Sequence, residues 1–113
     1  MNYDMQDTKS IVITGKNITK QIIVSDISHI ICDAYLCDIF TQNEKFTCLK
    51  LLKSFETELA DYGFIRINHN IIVNAKHIKH VNNKNRTVIL KTNIELHISV
   101  RRWKFFKTIF INL

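Results

Sequence analysis

The stretch "GFIRINHNIIVNAKHI", Gly63 to Ile78, sets Arg66, Asn68, His69 and Asn70 among apolar residues in a chain with two glycines and no proline. Arg66 sits with Phe64, Ile65 and Ile67 in a strand-like run, and Asn68-His69-Asn70 breaks it before "IIV" opens a second apolar run. Buried without partners, each of those polar groups would cost about 1 to 3 kcal/mol. Two readings follow. The polar break is a turn that hydrogen-bonds its own backbone, or an exposed edge that reads another molecule. For the second, Asn suits adenine, and His and Arg suit the guanine acceptors of a major groove. Asn74 reads as structural, its side chain tying down the turn that returns the chain to the core.

Strand signals spread outward on both sides. "IVITGKNITKQIIVS" (11–25) predicts a hairpin turning at Gly15, Lys16 and Asn17. "DISHIICD", "YLCDIFT" and "KFTCLKL" predict further strands, with a turn at Asn43 and Glu44, and so do "HIKHV", "RTVILK" and "IELHI". Asparagine is expected to make the turns at "NNKN" and "TN", because it tolerates left-handed backbone. The period changes twice. Leu51, Leu52, Phe55 and Leu59 predict a short amphipathic helix within residues 49–60, stopped near Gly63. Val100, Trp103, Phe106 and Phe110 predict a C-terminal helix from about residue 100, with Ser99 as its N-cap and Lys104 and Lys107 off the apolar stripe. The fold class expected is mostly β with two helices.

At 113 residues, 46% of them hydrophobic and 23% charged, the chain has the size and composition of one folded domain. No apolar run approaches the roughly 20 residues of a membrane span and no signal peptide is evident, so a cytoplasmic location is expected. Cys32, Cys37 and Cys48 form no CxxC pair and read as reduced core or strand cysteines. The five histidines read as lying on exposed strand faces, and no metal or other cofactor is expected, since no carboxylate or cysteine accompanies His77 and His80. Charge is unevenly divided. Residues 1–61 carry six lysines against nine acidic residues, whereas residues 62–113 carry six lysines and four arginines against Glu95 alone, a net +9. So basic a half favours a polyanion such as nucleic acid. Arg101 and Arg102 fall in the first turn of the last helix, where the macrodipole disfavours cations unless an anion docks there.

The two runs "GFIRINHNIIVNAKHI" and "HISVRRWKFF" together resemble the paired signature of the LytTR DNA-binding domains of bacterial transcription regulators, F-x-R-x-H-x-S-x-x-V-N-x-x-x-I and then a V-S-R-R-like run. Phe64, Arg66, Val73, Asn74, Ile78, Ser99 and Arg101 match. The similarity extends from about Ile11 to Lys107 and includes "DISHI" and the small helix before Gly63. Asn68 stands at the family's histidine position, Asn70 at its serine position, and Val100 where an arginine is common.

The resemblance implies an elongated antiparallel β domain over residues 11–113, after an N-terminal extension of residues 1–10. It implies sequence-specific reading of double-stranded DNA by loops in successive major grooves, with bending of the duplex. Two copies, as a homodimer on DNA, would bind two promoter repeats. Contacts are implied for Asp33 and Tyr35 in one loop, for Asn68, His69 and Asn70 in a second, and for Ser99, Arg101, Arg102 and Lys104 at the last helix. The receiver domain usual in such regulators is expected to be missing, which leaves an excised response-regulator effector domain or a stand-alone regulator. A protein-interaction module that keeps the fold but has lost DNA reading is the alternative. An RNA binder is disfavoured because the chain lacks the paired aromatic motif of the common single-strand modules, and no catalytic triad order or small-molecule substrate site supports an enzyme.

Overall fold

The structure, a computed structural model, describes residues 9–113. Most of the expected 1–10 extension therefore lies outside the described residues. Every strand pairing is antiparallel. Strands β1 (Ser10–Thr14) and β2 (Thr19–Ile23) form the expected hairpin, with Ile11 opposite Ile22. A five-stranded sheet follows in the order β5-β4-β3-β7-β6, built from β3 (Ile27–Asp33), β4 (Leu36–Thr41), β5 (Lys45–Leu49), β6 (Phe64–Arg66) and β7 (Ile71–Asn74). A three-stranded sheet runs β10-β9-β8, from β8 (Ile78–Asn82), β9 (Thr87–Leu90) and β10 (Glu95–His97). The helices are α1 (Leu52–Leu59) and α2 (Val100–Ile111).

Strand alternation divides the interior into two cores, because successive side chains leave a strand on opposite faces. Phe64 and Ile72 enter one core with Ile27, Ile30, Ile39, Phe55 and Leu59. Their neighbours Ile65 and Val73 enter the other, with Ile67, Leu90, Ile98 and Phe106. Strands β6 and β7 are thus the partition, with α1 contributing to the first core and α2 to the second. The short apolar runs around the polar break are buried on both sides for this reason.

Several local expectations are met. Gly63 ends the 3-10 turn after α1 at φ 84°, a left-handed conformation that glycine adopts without Cβ strain. Asn74, buried, donates from Nδ2 to the Ile27 carbonyl at 2.9 Å and accepts at Oδ1 from the Lys76 N–H at 3.1 Å, pinning the turn as anticipated. Ser99 caps α2 by accepting from the Arg102 N–H.

Others need correction. Leu51 and Val100 do not join the apolar stripes, since each lies at a helix start where the chain has not yet turned over the core, and both are exposed. Only one expected asparagine takes left-handed backbone: Asn93 does so at "TN", but at "NNKN" the positive φ falls on Arg86, while the Asn82 side chain accepts from the Asn85 N–H. His29 is buried rather than exposed, stacked on Phe40 with ring centroids 4.3 Å apart. Cys32 and Cys37 are not reduced. They lie directly opposite each other on β3 and β4 and form a disulfide, and Cys48 sits opposite Cys37 on β5 as a free, buried thiol. Register puts the three in one row across the sheet, which spacing along the chain does not reveal.

Candidate nucleic-acid interface

The polar break, Asn68-His69-Asn70, lies in a loop of residues 67–70 stitched to three neighbours. Asn68 donates from Nδ2 to the His97 carbonyl at 2.8 Å and accepts at Oδ1 from the Asn70 N–H at 2.7 Å. Asn70 donates from Nδ2 to the Cys32 carbonyl at 2.9 Å, and its own carbonyl accepts from the Cys32 N–H at 2.8 Å. The Ile67 carbonyl accepts from the Ser99 N–H at 2.9 Å. One loop is therefore tied to the end of β3, to β10 and to the start of α2.

Arg66 completes the frame. Its Nε donates to the Asn68 carbonyl at 3.2 Å and its Nη2 to the His69 carbonyl at 2.7 Å. The turn's own polar groups thus satisfy much of one another, as in the first of the two sequence readings. His69 differs: its side chain is exposed and its imidazole has no hydrogen-bond partner among the described residues.

Of the other sequence candidates, Asp33 and Tyr35 flank Ala34, whose φ of 55° turns the chain from β3 into β4, and both side chains are exposed. Tyr35, Ala34, Cys32, Lys53, Arg66, His69 and Asn70 all border one open cleft of about 420 Å³. The first two loops are therefore neighbours. At α2, Ser99 is half-buried under its capping role, Arg101 and Lys104 are exposed, and Arg102 is half-buried with Nη1 3.7 Å from Glu56 Oε2. The Ile98 N–H donates to the Arg86 carbonyl at 2.8 Å, which places the β8–β9 turn beside the start of α2.

Two basic residues escaped the sequence reading. Lys53 lies on α1 with its side chain on the cleft, and Arg86 lies at a strained turn next to α2. Neither carries a local signal, because only the packing of distant segments brings them to this edge. Among the described residues, Arg86 Nε and Thr87 Oγ1 are buried without a hydrogen-bond partner. Among the described residues no group of three or more histidine, cysteine or acidic side chains is arranged to hold a metal, and no helix is long and apolar enough to cross a membrane.

A family model of the LytTr DNA-binding domain matches residues 16–111. The chain belongs to the LytTR family. Among solved structures it is similar to the LytTr DNA-binding domain of a putative methyl-accepting/DNA response regulator from Bacillus cereus, with 17% identity, 88% of this chain and 94% of that one covered, and a TM-score of 0.77. At that identity the likeness speaks for the fold alone, and it agrees with the mostly β, antiparallel architecture described above. No curated protein matches. LytTR domains are DNA-binding modules of transcription regulation and not an enzyme family, so DNA binding is the general activity that membership implies here.

Proposed function

We propose that this LytTR chain, over residues 11–113, reads a specific sequence of double-stranded DNA to regulate transcription in the cytoplasm. The observation that carries the reading is that exposed His69, Arg101 and Lys104 stand on two elements, the loop and α2, joined by the bond from the Ser99 N–H to the Ile67 carbonyl. Arg101 donates to guanine O6 and N7 or to a phosphate beside the free N–H groups at the start of α2. His69 supplies a second donor, and Asp33 accepts from a cytosine amino group. Tyr35 packs against the sugar-phosphate edge, and Lys104 and Lys53 supply sequence-independent grip. Asn68, Asn70, Ser99 and Arg102 serve at the same surface chiefly by holding it in shape.

Size agrees with this use. The described residues extend 42 × 41 × 25 Å, so the broad dimension of one copy exceeds the roughly 34 Å of one helical turn of duplex. Two copies would occupy two promoter repeats.

Selection of bound fragments from random duplex defines the preferred site, and binding to it and to random duplex is then measured at two salt concentrations. Arg101→Ala and His69→Ala should each cost about 1 to 3 kcal/mol on the preferred site and little on random duplex. Lys104→Ala should weaken both alike and lower the salt slope by about one. No binding at low salt would refute the reading in favour of a protein-interaction module with this fold.

A further inference from the structure

The surface proposed to meet DNA contains an acidic side chain that the DNA-reading residues do not explain. Glu56 stands on α1, whose buried Leu52, Phe55 and Leu59 fix the helix in the core and so fix the base of the carboxylate. From there Oε1 accepts from Arg66 Nη1 at 3.3 Å, and Oε2 faces Arg102 Nη1 at 3.7 Å. Arg66, with 15% of its side chain exposed, is the same guanidinium that binds the Asn68 and His69 carbonyls. Arg102 belongs to the first turn of α2, beside Arg101. One carboxylate therefore joins the helix under the cleft to the loop bearing His69 and to the helix start bearing Arg101.

A negative charge here opposes phosphate, and a simple grip would be better without it. Its contribution has to lie elsewhere. Arg66 is planar and forked, and its three contacts fix its plane: two loop carbonyls on one side and the Glu56 oxygen on the other. Without Glu56 the guanidinium keeps its carbonyls but loses the contact that stops it from turning toward solvent or toward DNA.

We propose that Glu56 is a positioning residue for sequence reading. It acts through Arg66 and Arg102 to hold the His69 loop and the α2 start in a single geometry, and it gives up some general affinity for DNA to do so. The proposal rests on the DNA-reading function above and assigns its specificity a source outside the contact residues.

The prediction is a loss on the preferred duplex that random duplex does not share. Glu56→Ala should weaken binding to the preferred duplex by about tenfold, a loss typical of residues that couple sites without touching ligand. The same variant should bind random duplex as well as the parent chain, or slightly better, because a charge repelling phosphate has gone. Glu56→Gln keeps an oxygen that accepts from Arg66 and should recover part of the loss on the preferred duplex.

Glu58→Ala is the control. It removes the same charge two residues along α1, from a carboxylate that pairs with Lys50 at 2.9 Å and touches neither arginine, and should leave the preference between the two DNAs unchanged. Without DNA, amide exchange at His69 and Asn70 should quicken in Glu56→Ala and not in Glu58→Ala, with thermal unfolding of both variants confirming that they fold. Equal losses on both DNAs, an unchanged preference, or the same behaviour in both variants would overturn the role of Glu56. Failure of the parent chain to bind any duplex would overturn the DNA reading and this inference together, and only that result implicates the parent chain.

Discussion

Lowering the pH from 7 to 5 should destabilise the fold through His29. The residue is 2% exposed, and its ring lies nearly parallel to Phe40 with Nδ1 2.8 Å from Ser28 Oγ. Burial first, and the charge of His77 second, push its pKa down from 6.5 to about 4. The unfolded chain therefore takes up a proton near pH 6.5, whereas the native chain takes one up only near pH 4. Between those values the unfolded state binds more protons, so this contribution is fully present above pH 6.5 and is lost as pH falls toward 4. The whole gap corresponds to roughly 3 kcal/mol, of which about 2 kcal/mol falls between pH 7 and pH 5. That is a large fraction of the stability of a small domain. Urea unfolding at pH 7, 6 and 5 measures it, with His29→Gln as the reference because glutamine does not titrate. The variant will be less stable at pH 7, and its deficit should shrink by about 2 kcal/mol at pH 5 as the parent chain alone loses the histidine contribution. Carboxylates elsewhere act equally in both proteins and cancel. Parallel pH profiles would refute the argument, and would mean that the native ring is protonated where it lies.

Asn74→Ala should cost about 1 to 3 kcal/mol, since the buried Ile27 carbonyl and the Lys76 N–H both lose their partner. An unchanged melting temperature would remove Asn74 from the frame. Gly63→Ala should cost roughly 1 to 2 kcal/mol through left-handed backbone alone, because an added Cβ would meet no atom within 4 Å. A much greater loss of urea stability would contradict that open space. Opening the Cys32–Cys37 disulfide with a dithiol reductant should lower stability by no more than about 2 kcal/mol, since the bond closes a loop with a sequence separation of only five. Complete unfolding on reduction would show that the bond holds more than its own hairpin.

Much of the architecture was legible because it depends on local pattern. Period-two runs marked the strands, the change to helical spacing marked α1 and α2, and Gly63, Ser99 and Asn74 each announced a terminus or turn by the chemistry of one side chain. What the sequence withheld depends on which strands meet. The cysteine disulfide requires the β3–β4 register, and the burial of His29 requires strands on both sides of β3. Leu51 and Val100 followed the helical stripe in sequence but precede the point where the helix meets the core. The candidate site was visible by residue type, and a self-bonded turn was one reading of it, but the distant partners of that turn were not visible. Nothing local shows that the amide donors of Asn68 and Asn70 already face the carbonyls of His97 and Cys32, residues 29 and 38 positions away.

That occupation changes what the polar break contributes. A base-reading surface must hold its donors to within a fraction of an ångström, and a loop that orders only on contact loses affinity to that ordering. Here Arg66, Asn68 and Asn70 bind backbone groups of their own loop, of β3 and of β10, and the Ser99 N–H closes the connection to α2. Four elements distant in sequence therefore share one hydrogen-bonded frame, and His69 stands on it with an imidazole that no described residue hydrogen-bonds. Polar residues clustered in an apolar stretch are in this case mainly the fastening of a loop, and one of them is what the loop presents. Sequence differences from the family pattern at Asn68 and Asn70 fall on the groups that hold the loop, so under the proposed function the base preference would follow chiefly from His69 and Arg101. Exchanging Asn68 for histidine, the family's residue, would test this division. The single amide end that donates to the His97 carbonyl and accepts from the Asn70 N–H is replaced by a ring whose donor and acceptor nitrogens diverge. At least one of the two bonds should be lost, and the loop should loosen and affinity for the preferred duplex fall before a new preference appears.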